Sequence, residues 1–364
     1  MCYACNHLKH NENQPMLTRD QVYIMLMMRN QSNLFSSPIM PNEIVQLISD
    51  YEPSNSKIEI ALKCAASPQK ERVRQLLIML DNNPTLLLQA GRVITPGGDI
   101  IKRTTIYEFC LGAGDADLAK KVQHYFSQIT NGEQQRIRQY KRYQCHIENM
   151  LKQKPYDLTK LINLVKSASM DDVIALLNYD ETHTSELGNA LIQFKQDWQP
   201  KTIEQSSMHY NYNSLHHAFK QLSMEWEELY RKSNYNFSKI HLVWRQIIGF
   251  EMRRLPGIDR CIMAQGIYYY IKKGLFNRTY EFKNSYRELF PDTDHDDSSE
   301  ISLGKKFAID VLFGARSSSR CSARVRQEQF FNYLDAYFEQ KQADLKNLYE
   351  DNLQLIEQSV YKYS

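Results

Sequence analysis

The stretch that decides the fold runs from Phe35 to Cys64 and reads FSSPIMPNEIVQLISDYEPSNSKIEIALKC. Pro41 and Glu43 near its start are typical of a helix N-terminus, because proline suits the first turn and a carboxylate faces the positive end of the helix dipole. Four apolar residues then recur at helical spacing, until Glu52-Pro53 breaks the pattern: Ile44, Val45, Ile48 and Tyr51. The stretch therefore predicts a helical hairpin whose apolar ridge needs a surface to cover it.

Outside this stretch, the composition favours an all-α protein. The chain has 364 residues, of which 42% are hydrophobic and 24% charged, as in ordinary globular proteins. Helix formers such as Leu, Gln, Lys and Glu dominate over Val and Thr. The net charge of +3 is too small to indicate nucleic acid as a partner, because duplex binding needs a concentrated stripe of Lys and Arg.

Cysteine usage and hydropathy indicate a reducing cytosol. The 7 cysteines are odd in number and widely spread, unlike a disulfide framework. No run approaches the roughly 20 apolar residues that a membrane span needs, and the cluster at 22–28 lacks the length and flanks of a signal peptide. No motif in the sequence predicts a cofactor.

Helical patterns and breaks divide the chain into four expected parts, with helical hairpins packed on a larger C-terminal helical domain. Pro200 breaks the helical pattern that ends at Trp198, and a persistent apolar stripe runs from Gln327 to about Tyr361. The expected parts are a tail with a short helix (1–34), the hairpin (35–64), a helical scaffold (65–198) and the C-terminal helical domain (208–361).

Within the scaffold, the segment from Thr105 to Val122 predicts two short helices joined by a tight turn at Gly114. Cys110 is the small buried residue of the first helix, and Leu118 is an apolar residue of the second. Before them, Thr95–Asp99 (TPGGD) predicts a turn in which the glycines can adopt positive φ.

Several clusters of chemistry-bearing residues have a structural interpretation that we favour. Known zinc sites usually separate two ligand pairs by a dozen or more residues, so the compact N-terminal cluster is interpreted as a loose terminus rather than a metal site. Three histidines near the start of the last domain have no partner motif, and an acidic loop lacks the glycine and glutamate of a calcium loop. These clusters are Cys2, Cys5, His7 and His10; His209, His216 and His217; and Asp292, Asp294 and Asp296.

Two groups of basic residues are candidate anion-binding sites. The first alternates with tyrosines on a predicted helix, where a solvated helix face explains it better than an RNA site: Arg136, Arg138, Lys141 and Arg142. The second lies in a segment containing Ser and Gly, where guanidinium groups could bind phosphate or a lipid headgroup: Arg316, Arg320, Arg324 and Arg326.

No set of catalytic residues can be read from the sequence. An enzyme site would have to form in three dimensions from residues of the C-terminal domain, with a thiol, an imidazole and an acid in one cleft. The candidates are Cys261, His216, His217, Asp259 and Glu251.

The opening stretch resembles an F-box. The resemblance rests on Pro41, Glu43, Ile44, Ile48, Tyr51, Pro53, Leu62 and Cys64. In F-box proteins such a hairpin binds the Skp-type linker subunit of cullin–RING ubiquitin ligases, so the resemblance implies that Pro41, Glu43, Ile44, Val45, Ile48, Tyr51 and Leu62 bind that partner. The alternative is an amphipathic helix pair packed on its own domain.

The scaffold in turn resembles degenerate ankyrin repeats in two segments, Ala61 to Pro84 and Thr105 to Val122. Residues 83–115 (NPTLLLQAGRVITPGGDIIKRTTIYEFCLGAGD) and 243–269 (VWRQIIGFEMRRLPGIDRCIMAQGIYY) together resemble a module of translocated, type IV-secreted effectors of Legionella and related bacteria.

These resemblances imply an adaptor that acts in the host cytosol and recruits a host protein to a ubiquitin ligase. The alternatives are a helical enzyme with the site named above, and a module that binds phosphoinositides or a membrane surface through the Arg316–Arg326 segment.

Overall fold

The chain folds mainly into α-helices. The computed structural model describes residues 56–178, 184–234, 237–252, 254–265 and 332–348, together with positions 267, 270, 271, 274 and 278. Helices make up 72% of these residues and strands 5%, so the predicted all-α class is confirmed. All of these residues belong to one compact unit, Ser54–Asn178 with His183–Ser364.

The elements follow one another closely. The helices are α1 (Lys57–Ala66), α2 (Lys70–Asn82), α3 (Ile106–Gly112), α4 (Ala116–Gln123), α5 (Gly132–Glu148), α6 (Thr159–Ser167), α7 (Met170–Asn178), α8 (Glu186–Asp197), α9 (Tyr212–Lys232), α10 (Ser238–Val243), α11 (Gly249–Met252), α12 (Gly257–Gln265) and α13 (332–348). The strands are β1 (Gly91–Ile94), β2 (Ile100–Thr104) and β3 (Thr202–Ile203), and a π-helical turn, Trp244–Ile248, joins α10 to α11.

Local sequence explains where the helices begin. Ser56 caps α1 by accepting a hydrogen bond from the backbone N–H of Glu59 at 3.3 Å. Thr105 and Glu108 form a capping box at the start of α3, in which each side chain accepts from the other residue's backbone N–H. These bonds satisfy backbone donors that the first helical turn leaves unpaired.

A small sheet interrupts the helices, and the sequence did not predict its strands. β1 and β2 form an antiparallel hairpin with Val93 opposite Ile101, while β2 pairs in parallel with β3. The turn between the first two strands was predicted, and Gly98 adopts a φ of +91° there. Asp99 accepts a hydrogen bond from the backbone N–H of Lys201 at 2.7 Å, which holds the segment of β3 against the hairpin.

One continuous apolar core runs from α1 to α13. The predicted positions Cys110, Leu118 and Val122 are all fully buried in it. The predicted stripe of the last helix is also confirmed for five of its residues, which are buried: Leu334, Tyr337, Phe338, Leu345 and Leu348. The predicted division at residues 199–207 falls on the segment that contains β3 and stays a prediction.

The basic run of α5 is only partly a solvated face. Arg138, Lys141 and Arg142 are exposed, as predicted. The prediction is wrong for Arg136, whose exposed fraction is 2%. Its guanidinium group donates to Glu133 and, at 3.4 Å, to the Leu348 carbonyl. Its partner on α13 lies 212 residues away in sequence. Arg136 therefore helps to join two distant helices.

Candidate functional site

The candidate site is centred on Asp259, a fully buried carboxylate of α12. The hydroxyl of Tyr212, on α9, lies 3.0 Å from one of its oxygens. The Tyr337 hydroxyl and the Lys341 ammonium, both on α13, donate to the other oxygen. A single carboxylate thus brings together three helices that are far apart in sequence.

The turn between α3 and α4 forms the fourth side of this cluster. The Ala113 carbonyl lies 3.2 Å from the Tyr212 hydroxyl and 3.5 Å from the Lys341 ammonium. Gly114 has a φ of +65°, and a Cβ on it would lie 2.1 Å from Lys341 Cε. The glycine predicted for the turn is thus also the residue that leaves room for the lysine.

Burial and charge act against each other at the Asp259–Lys341 pair. Removal from water raises the pKa of Asp259, which the ammonium and the two tyrosine hydroxyls oppose. Burial also disfavours the charged form of Lys341 and so lowers its pKa, and the Asp259 carboxylate opposes that shift. Because each charge depends on the other, the loss of either partner would leave an uncompensated buried group.

A second ion-pair group lies beside the first. Arg278 donates to Asp115 at 2.7 and 2.9 Å and to Asp117 at 2.7 Å. Burial disfavours the guanidinium charge, but Asp115 and Asp117 together raise the pKa of Arg278. Asp115 also caps α4 by accepting from the Leu118 N–H at 2.9 Å. The N-terminus of α4 is therefore already capped by a carboxylate.

A cleft of about 430 Å³, open to solvent, adjoins both groups. Its walls come from α4 and α13, and Ile258 and Ile262 of α12 contribute apolar surface. Tyr270 and Tyr337 also line it, with their ring centroids 5.5 Å apart. The cleft combines apolar surface with charged side chains, as small-molecule sites do.

The structure places the five candidate residues for an enzyme site in different surroundings. Asp259 accepts hydrogen bonds from the cluster described above. His216 instead pairs with Asp335 at 2.5 Å. His217 is half-buried on α9. Neither histidine is among the hydrogen-bond partners found for Asp259.

Burial decides the chemistry of the two remaining candidates, Cys261 and Glu251. The Cys261 thiol is buried, which raises its pKa to about 12 and keeps it protonated at neutral pH. Glu251 is fully buried, and neither of its carboxylate oxygens has a hydrogen-bond partner in the structure. Burial raises its pKa well above the ordinary value, so the neutral acid is the form that fits the site.

The histidines of the C-terminal region show no metal-binding arrangement. His209 is buried, which lowers its pKa to about 3, and its ring packs 5.1 Å from that of Phe109. Across the described ranges, no group of three or more His, Cys, Asp or Glu side chains could hold a metal ion. The cluster Cys2, Cys5, His7 and His10 lies outside those ranges.

Most residues of the predicted binding sites also lie outside the described part of the chain. These are Pro41, Glu43, Ile44, Val45, Ile48 and Tyr51 of the F-box-like stretch, Arg316, Arg320, Arg324 and Arg326 of the basic segment, and the acidic loop with Asp292, Asp294 and Asp296. Leu62 is described and fully buried in the core, so it offers no exposed surface to the partner that the resemblance implies for it. A Cβ on Gly91 of β1 would lie 2.9 Å from its Cδ1.

Sequence reasoning named Asp259 but missed the partners that define its role. Tyr337 was predicted only as part of an apolar stripe, and neither Tyr212 nor Lys341 was singled out. One signal was present in the sequence: Lys341 follows Tyr337 by four residues, so the lysine lies on the apolar face of the helix, where a charge needs a partner.

Comparison of the chain with protein-family models, curated proteins and solved structures found no match. The class is therefore defined by the fold and the cluster alone: an all-α protein in which the buried Asp259–Lys341 ion pair joins two helices far apart in sequence. Among the helices described, none is both long and apolar enough to cross a membrane.

Proposed function

We propose that the protein is a translocated bacterial effector that acts in the host cytosol as an F-box-type adaptor. The F-box-like stretch would bind the Skp-type linker subunit of a cullin–RING ligase, and the helical scaffold would bind a host protein. The ligase would then supply the chemistry, and the adaptor would raise the effective concentration of the substrate near it.

The observation that supports this proposal best is the way the stretch ends. Its last residues belong to α1, where Ala61, Leu62 and Cys64 are buried in the scaffold core. Three residues separate Pro53, at the end of the predicted ridge, from the start of α1 at Lys57. A short connection to a packed helix suits an adaptor, because a long flexible linker would lower the effective concentration of the bound substrate.

A pull-down of the full-length protein with the purified linker subunit tests the proposal. The double variant Pro41→Ala with Ile44→Asp should lose binding, because it removes the helix start and places a charge on the apolar ridge. Ile174→Asp is the matched control, since Ile174 is 46% exposed on α7 and undergoes the same change from isoleucine to aspartate. Undiminished binding of the double variant, or equal loss in the control, would reject the proposal.

A further inference from the structure

The cleft between α4 and α13 contains charged side chains that are not used in the fold. Lys120 on α4 and Asp344 on α13 both line it. Within the described structure neither forms an ion pair within 4 Å, and they act on each other only at longer range. These two side chains therefore differ from Asp259, Lys341, Asp115 and Arg278, whose charges are already paired.

The surroundings of Asp344 combine polar groups with apolar surface. The side chain is half-buried, and burial raises its pKa, with Lys120 as the opposing charge. The Asn347 side chain lies one helical turn further along the same face and could donate to a ligand or accept from it. Beside these polar groups, Ile258 and Ile262 provide an apolar wall.

Among the described residues of the cleft, Asp344 and Lys120 determine which ligand charge fits. A purely cationic ligand would meet Lys120, and a purely anionic ligand would meet Asp344. At the N-terminus of α4, the Asp115 carboxylate already accepts from the Leu118 N–H, and its charge opposes a second anion there. A molecule with both an ammonium and a carboxylate satisfies both side chains, and an apolar group on it would cover Ile258 and Ile262.

We infer that this cleft binds a small zwitterion with an apolar side chain, the chemistry of a free α-amino acid. The ligand ammonium pairs with Asp344, its carboxylate pairs with Lys120, and its side chain lies against α12 and Tyr270. This assignment does not depend on the adaptor role, because none of its residues belongs to the F-box-like stretch.

Saturation-transfer NMR on the full-length protein tests the assignment with three matched probes. L-phenylalanine carries both charges, phenethylamine only the ammonium, and 3-phenylpropanoate only the carboxylate. We expect saturable binding of L-phenylalanine and affinities about tenfold lower for each single-charge probe, the usual effect of one charge-assisted hydrogen bond. Equal affinity of either single-charge probe, or no binding of L-phenylalanine, would overturn the inference.

Two variants and two controls locate the binding. Asp344→Asn and Lys120→Gln should each lower the affinity for L-phenylalanine about tenfold. Glu339→Gln and Lys346→Gln remove charges elsewhere on α13, at exposed positions, and should bind like the wild type. If Asp344→Asn does not fold, Lys120→Gln decides, because Lys120 is exposed. Wild-type affinity in Lys120→Gln would overturn the inference.

Discussion

At the scale of single residues, Asp259 and Lys341 form an ion pair that is almost completely buried. Their exposed side-chain fractions are 0% and 4%. A buried charge costs several kcal/mol unless a partner and further hydrogen bonds compensate it. Tyr212 and Tyr337 provide those hydrogen bonds, so the four residues act as one unit and their contributions to stability should not be additive.

Lys341→Met should lower the free energy of unfolding by about 3–5 kcal/mol, because it leaves Asp259 buried without its cation. Urea denaturation followed by circular dichroism measures the change. Lys346→Met, at an exposed position of the same helix, is the control and should shift the midpoint little. The double variant Asp259→Asn with Lys341→Met should lose less stability than the two single losses added. Additive losses would show that the pair does not act as a unit.

At the scale of the elements, the turn between α3 and α4 depends on a glycine for two separate reasons. Gly114 has positive φ, and a Cβ there would overlap the Lys341 side chain. Gly274 has a similar φ of +59°, but nothing lies within 4 Å of its Cβ position. Substitution of Gly274 therefore measures the cost of backbone strain alone, and substitution of Gly114 measures strain and steric overlap together.

Gly274→Ala should cost about 1–2 kcal/mol of stability, the usual strain of a left-handed backbone at a residue with a Cβ. Gly114→Ala should cost about 1–3 kcal/mol more, because the added methyl must displace the Lys341 side chain. Thermal and urea unfolding of both variants measures the difference. Equal losses in the two variants would mean that Lys341 moves aside without cost.

Helix α11 carries a second buried acid, Glu251, which makes stability depend on pH. Its folded-state pKa lies well above the ordinary value of about 4.3. Burial is the cause of this shift, and Glu251 in turn raises the pKa of Tyr210 and of Tyr156. Neither of these side chains is a cation. The unfolded chain therefore releases this proton at a lower pH than the folded chain, and stability should fall as the pH rises above about 4.3 towards the folded-state pKa.

Glu251→Gln removes the titrating carboxyl group. Between a pH of about 4.3 and the folded-state pKa of Glu251, the free energy of unfolding of the variant should rise relative to that of the wild type by up to about 1.4 kcal/mol per pH unit. Urea midpoints at three pH values between about 4.5 and 7.5 check the slope. Glu339→Gln, at an exposed position of α13, is the control and should parallel the wild type. A constant difference between Glu251→Gln and the wild type would contradict the prediction.

The elements also show what the sequence could predict and what it could not. The capped start of α3, the glycine turns and the apolar face of α13 follow from local patterns. β1 and β2 have only four and five residues, too few for clear alternation, and β3 pairs with β2 from about 100 residues away. The partners of Asp259 lie 47, 78 and 82 residues away, so only tertiary structure brings them together.

At the scale of the whole molecule, α13 joins the two halves of the described chain. It contacts α5 through Tyr140, whose hydroxyl donates to the Leu345 carbonyl at 3.0 Å, and through Gln342, which donates to the Ile147 carbonyl at 2.7 Å. It contacts α12 through the Asp259 pair. One helix therefore covers the core of the scaffold and of the C-terminal region together.

A chain that ends at residue 331 should lose its single cooperative unfolding transition. It would lack five buried residues of α13, and removing even one large buried side chain usually costs about 2–5 kcal/mol, a large part of the total stability of a domain. Circular dichroism and the binding of a hydrophobic dye measure the loss.

A chain that ends at residue 348 is the control, because it retains α13 and should unfold in one transition near the wild-type midpoint. If the 348 chain fails as well, the loss belongs to the residues after α13. If the 331 chain unfolds like the wild type, α13 does not hold the core together.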